Sequence, residues 1–144
     1  MKKIAIVYWS GTGNTRAMAR KVAEGASREQ VQATLFTVSE FDADMAGLFD
    51  ALAFGCPAMG AETLEEHEFE PVFQACLPKL HGKPLVLFGS YGWGDGTWMR
   101  DWEAVCTAAG APPICESVIC VAEPDGEAED ACMNLGRALS QAIC

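Results

Sequence analysis

Five short apolar runs are separated by amphipathic stretches, and this strand–helix alternation limits the possible folds more than any other feature of the chain. The runs are Lys3–Tyr8, Val31–Val38, Ala51–Gly55, Leu85–Gly89 and Ile114–Val121. The second alternates polar and apolar residues, as an edge strand does, whereas the third and fourth are nearly continuous, as central parallel strands covered on both faces should be. Between them, residues 14–27 place Met18, Ala19, Val22, Ala23 and Ala26 on one helical face and turn Arg16, Arg20 and Glu24 away from it. Segments 68–77, 97–109 and 126–143 also read as helices, with Pro71 in a first turn and Gly82 and Gly110 just past C-termini; residues 41–48 give a shorter, weaker helix. The order β-α-β-α-β-α-β-α-β predicts an α/β fold with a doubly wound parallel sheet, because right-handed crossovers leave few other topologies. In such sheets a ligand lies beyond the carboxyl ends of the strands, so function is expected in the loops after strands 1, 3 and 4.

The 144 residues fit one domain. No apolar run approaches the roughly 20 residues of a membrane span, and Met1-Lys2-Lys3 leads into a strand rather than a signal-peptide core, so the expected location is cytoplasmic, with no membrane partner. Seven cysteines form an odd set without a CxxC pair and read as reduced, mostly buried thiols; His67 and His81 stand apart, and no metal site is expected. The net charge of −10 is uneven: six of the ten basic residues fall within residues 1–28. The remainder is strongly acidic, which disfavours nucleic acid and suits a basic protein surface.

Three loops carry the chemistry. The first is Ser10-Gly11-Thr12-Gly13-Asn14-Thr15, between strand 1 and the first long helix. Its glycines let the backbone curl around an anion, the helix N-terminus supplies free N–H groups, and Ser10, Thr12, Asn14 and Thr15 add side-chain donors, which makes a phosphate cradle. It is not a Walker A loop, and Arg16 stands where a dinucleotide GxGxxG would need its third glycine. The second loop, Cys56–Glu62, contains Met59-Gly60, where a peptide can turn over freely, and Glu62, a possible acceptor for an imide N–H. The third, Ser90–Trp98, sets Trp93 and Trp98 among three glycines, a composition that suits stacking on a flat aromatic ligand. The competing reading of those two tryptophans is that both plug the core.

Together, IVYWSGTGNT at 6–15, AMG followed by a glutamate at 58–62, LEEHEFEP at 64–71 and LFGSYGWGDGTWMRDWE at 87–103 resemble the flavodoxin family, specifically its short-chain, clostridial-type members. The resemblance runs through the whole of residues 1–144. It implies a flavodoxin-like five-stranded parallel sheet of order 2-1-3-4-5 with helices on both faces, holding FMN. It further implies that Ser10, Gly11, Thr12, Gly13, Asn14 and Thr15 bind the FMN phosphate. Met59 would then lie against one face of the flavin, with Ala58 also among the cofactor-binding residues, and the Gly60 peptide would turn so that its carbonyl accepts a hydrogen bond from flavin N5–H. Glu62 would accept from N3–H, Trp93 would stack on the opposite face, and Ser90, Tyr91, Gly92, Trp93 and Gly94 would give backbone contacts to the pyrimidine end. Three positions depart from the family pattern: Pro57 removes a possible phosphate hydroxyl, Ala61 removes a charge near the ring, and Ala122 removes a polar contact after strand 5.

The function implied is that of a low-potential one-electron carrier, a monomer without substrate turnover of its own that serves redox partner proteins with basic docking surfaces. The acidic set Glu62, Glu65, Glu66, Glu68, Glu70, Asp95, Asp101 and Glu103 is expected to border the exposed flavin edge. An FMN-dependent NAD(P)H reductase of similar fold is the alternative; the short chain and acidic surface count against it. A receiver domain of the same strand order is disfavoured because Trp9-Ser10 replaces the paired acids such a domain carries after strand 1.

Overall fold

The computed structural model describes residues 1–144. In chain order the elements are β1 (Lys2–Tyr8), α1 (Asn14–Ala26), β2 (Val31–Thr37), α2 (Ala43–Ala46), β3 (Ala51–Gly55), α3 (Phe69–Cys76), β4 (Leu85–Tyr91), α4 (Thr97–Ala108), β5 (Val118–Val121) and α5 (Gly126–Ile143). Short 3₁₀ turns follow β2 and α3. All strand pairs are parallel and the order is β2-β1-β3-β4-β5, as expected.

The apolar pattern explains this arrangement. β3 is buried at every position and β4 at all but its last, so both faces need covering, while the edge strands β2 and β5 are only partly buried. Helices α1 and α5 close one face, where Met18, Val22, Leu135 and Leu139 meet Ile4, Ile6 and Val86. On the other face, Phe54, Phe69, Phe73 and Trp102 form a cluster in which Phe54 and Trp102 meet the neighbouring rings nearly edge-on. Burying each such side chain contributes about 1.5–3 kcal/mol.

The register brings Tyr8, Thr37, Gly55 and Phe88 level with one another, so the loops after β1, β3 and β4 emerge together. β4 runs two residues further than its sequence signal, to Tyr91, and carries its loop outward from that edge. β5 is shorter than expected. Ile114 N–H donates to Leu85 O at 3.0 Å, which sets it level with Val86, but Val118 pairs with Phe88, which leaves two extra residues on the β5 side; the Ser117 hydroxyl in that stretch donates to Glu103 Oε2 at 2.6 Å. Val38 also leaves its strand, because Thr37 and Glu40 form a capping box that starts a 3₁₀ turn. None of the seven cysteines is paired. Burial pushes the thiols of Cys56, Cys106 and Cys132 up to about 12, so these behave as inert core side chains. No helix is long and apolar enough to cross a membrane.

Candidate functional site

The cradle begins where β1 ends. Gly13 sits at φ 99°, a left-handed conformation that ordinary residues rarely adopt, and this lets the chain reverse into α1. Its N–H donates to Ser10 Oγ at 3.0 Å, and its carbonyl accepts from Ala17 N–H at 3.0 Å. The N–H groups of Gly11, Thr12, Asn14, Thr15 and Arg16 make no hydrogen bond within the protein, and no acidic residue occupies the first turn of α1. Unpaired donors at a helix start, with the positive dipole end behind them, favour an anion. Thr15 does a different job from its neighbours. It is 1% exposed, its Oγ1 lies 3.1 Å from Ser90 Oγ, and it accepts from Ser90 N–H at 3.4 Å, which fixes the cradle to the end of β4.

Two clefts flank the cradle. One, of about 270 Å³, runs from Gly11, Thr12 and Asn14 past Trp9 to Pro57, Ala58 and Met59, and is closed by Ser90, Tyr91, Gly92 and Ala122. The other, of about 580 Å³, lies on the β2 side between residues 8–13 and 37–39, with Arg16 and Glu68 on its wall. The first joins the cradle to both remaining loops.

Those loops are built differently. Met59 and Thr63 exchange backbone hydrogen bonds of 2.8 and 3.0 Å, closing a tight turn with Gly60 at φ 49° and Glu62 at φ 57°. A Cβ on Gly60 would meet nothing, so only the backbone angle reserves this position for glycine. Glu62 Oε1 accepts from the N–H groups of Gly96 and Thr97, each at 3.2 Å, so its carboxylate both caps α4 and ties the 60s turn to the 90s loop. Trp98 is 2% exposed and donates from Nε1 to Cys56 O at 3.2 Å, whereas Trp93 is 67% exposed. The two tryptophans therefore split between the two readings: Trp98 belongs to the core, and Trp93 stands free at the rim. Met59, 36% exposed, lines the cleft below.

The structure thus brings Gly11, Thr12, Asn14, Ala58, Met59 and Ser90–Gly92 around one cleft, with Ser10 and Gly13 on the neighbouring cleft and Gly60, Glu62, Trp93 and Gly94 in the turns beyond. Such a site can hold an anionic group at one end and a flat apolar group at the other. The acidic set is less uniform than expected. Glu65 is 6% exposed and accepts from His67, Glu68 and Phe69 N–H groups at 3.0, 2.7 and 2.8 Å, capping α3 from within. Burial alone would raise its pKa, but those three bonds outweigh it and hold the carboxyl below its ordinary range. Glu66, Glu68, Asp95 and Asp101 are exposed. Sequence reasoning missed Trp9 as a wall of the site and read Glu68 only as part of the acidic rim, not as the partner of the Trp9 indole. An aromatic directly before a glycine-rich turn was the available signal, but a partner 59 residues away leaves no local trace.

The flavodoxin family model matches residues 6–136. A flavodoxin of Clostridium beijerinckii is 44% identical over 135 residues, covering 94% of this chain and 97% of that protein. A flavodoxin of Megasphaera elsdenii is 43% identical over 141 residues, covering 96% and 99%. The solution structure of the two-electron reduced Megasphaera elsdenii flavodoxin superposes with a TM-score of 0.87 at 40% identity, covering 96% of this chain and 98% of that one. With matching sequence, strand order and loop convergence along nearly its whole length, the chain belongs to the flavodoxin family.

Proposed function

We infer that the chain binds FMN non-covalently and works as a low-potential one-electron carrier between redox partner proteins, with residues 1–144 acting as one flavodoxin-like domain. The observation that carries this reading is the row of unpaired N–H groups at Gly11–Arg16 opening into the cleft that reaches Met59. A phosphate monoester can be held by several N–H donors at a helix start without a bonded side-chain cation, and this donor set fits it. The cleft lined by Pro57, Ala58 and Met59, with the exposed ring of Trp93 in the loop beyond it, suits a flat heterocycle.

In this reading Ser10, Gly11, Thr12, Gly13, Asn14 and Thr15 hold the phosphate through main-chain N–H groups and the Ser10, Thr12 and Asn14 side chains, while the Thr15 hydroxyl stays with Ser90. Ala58 and Met59 cover one ring face and Trp93 the other. The backbone of Ser90–Gly94 and the second oxygen of Glu62 meet the pyrimidine end. Redox chemistry is supplied by the FMN ring, which exchanges one electron at a time when bound. The protein tunes it: turning of the Gly60 peptide presents a carbonyl to the ring's N5 position, and the surrounding acids disfavour added negative charge. Nothing in this scheme turns over a substrate.

Purified protein should be yellow and should release one equivalent of FMN on acid treatment. A chain that binds no flavin, or releases FAD instead, contradicts the reading. Steady oxidation of NADH by the purified protein would favour the reductase alternative. The finer proposals are that the protein is a cytoplasmic monomer, and that Glu66, Glu68, Asp95 and Asp101 steer it onto basic partner surfaces. Electron transfer to a basic acceptor protein should then slow as ionic strength rises; a rate independent of salt removes the docking proposal.

A further inference from the structure

Trp9 lies between the two clefts and contributes to the wall of both. Its indole Nε1–H donates to Glu68 Oε1 at 3.0 Å, and its six-membered ring runs under the cradle, where a Cβ on Gly11 would approach the ring at 3.1 Å. Glu68 is itself held firmly. Its N–H donates to the buried carboxylate of Glu65 at 2.7 Å, and Glu65 N–H reaches Cys56 Sγ at 3.4 Å, at the end of β3. An unbroken series of contacts therefore runs from β3 through the first turn of α3 to the ring beneath Gly11. Glu68 is also an oddity on charge grounds. An exposed carboxylate on the wall of the cleft beside an anion cradle repels the anion, so its presence calls for a geometric reason.

We propose that Glu68 is a positioning residue for the phosphate cradle: by fixing the Trp9 ring beneath Gly11, it sets the aim of the loop N–H groups and so the preference for a phosphorylated flavin. The inference rests on the FMN reading above. Because Glu68 lines the cleft on the β2 side of the cradle and not the one that reaches Met59, its loss weakens binding of FMN and leaves riboflavin, which lacks the phosphate, almost untouched. A purely structural role would weaken both flavins alike. A purely electrostatic role would make removal of the carboxylate improve FMN binding whatever replaced it.

The test is fluorescence titration of the full chain, freed of flavin, with FMN and with riboflavin, for wild type, Glu68→Ala, Glu68→Gln and Trp9→Phe. Glu68→Ala removes the acceptor, Glu68→Gln keeps an acceptor oxygen without the charge, and Trp9→Phe keeps a ring but loses the N–H. Glu68→Ala and Trp9→Phe should each lower the ratio of riboflavin Kd to FMN Kd by about threefold to tenfold, the effect of one lost hydrogen bond. Riboflavin Kd should stay within about twofold, Glu68→Gln should keep the wild-type ratio or exceed it, and the double variant should lose no more than either single one. The proposal is overturned if the ratio is unchanged in Glu68→Ala, if both flavins weaken equally, or if Glu68→Ala tightens FMN as much as Glu68→Gln does. Wild-type protein that binds neither flavin overturns the functional reading instead, and the strut with it.

Discussion

At the cradle, binding groups come from the main chain at the start of α1, and the side chains around them serve as supports: Thr15 is tied to Ser90 and Trp9 to Glu68. At the 60s and 90s loops the arrangement is reversed. There Met59 and Trp93 present exposed apolar side chains, the backbone takes left-handed conformations at Gly60, Glu62 and Gly94, and the Glu62 carboxylate ties the two loops together through Gly96 and Thr97. A cradle with a few rigid donors resists adjustment and supplies affinity. Loops that turn on single peptides can respond to the charge state of what they hold, so tuning belongs there.

This contrast predicts which measurement each change will move. The largest effect is removal of the phosphate itself: riboflavin should bind about 1000-fold more weakly than FMN, since several charge-assisted bonds are lost together. Comparable affinities measured by titration would break the division. Next is Glu62→Ala, which leaves the Gly96 and Thr97 N–H groups without their acceptor and frees the 60s turn. Both flavins should weaken by about tenfold and the thermal midpoint should fall, with the FMN-to-riboflavin preference preserved. Trp93→Ala should weaken both flavins by about fivefold, in line with the loss of one stacking contact, and should leave stability unchanged because that side chain is 67% exposed.

The smallest effect concerns Glu65, whose carboxyl is held below its ordinary range. A lowered folded pKa means its contribution to stability is fully present above the unfolded value near 4.5, and is lost as pH falls from there through the folded value. Thermal melts between pH 6 and 3.5 should therefore decline more steeply for wild type than for Glu65→Gln. Parallel curves would detach Glu65 from the support of the cradle.

The same contrast governs what could be read from the chain. Ala51–Gly55 and residues 126–143 were legible to the residue, because long periodic or fully apolar segments state their own environment. β5 was overextended because Ile114 and Val118 are both apolar, and a two-residue offset between strands keeps the alternation of faces and so leaves no mark on hydropathy. The cradle was legible because glycines and hydroxyls sit side by side in sequence. Its supports were not: Thr15 reads as one more donor until Ser90, 75 residues away, is seen beside it. Trp93 and Trp98 are five residues apart with opposite fates, decided by where β4 ends and α4 begins. Glu65 sits in an acidic run that reads as a solvated face, yet its carboxylate points inward to three N–H groups.

The central claim is that this protein holds FMN and passes electrons singly, with the Gly60 peptide as the moving part. Anaerobic reductive titration, followed by absorbance, tests it most directly in wild type and Gly60→Val. The account predicts two well-separated one-electron steps in wild type. In the variant, the first potential should shift by about 60 mV, equivalent to about 1.4 kcal/mol, because a β-branched residue at the left-handed Gly60 position costs about that much and turning of the peptide changes that cost. A single two-electron step in wild type, or identical potentials in the two proteins, would contradict it.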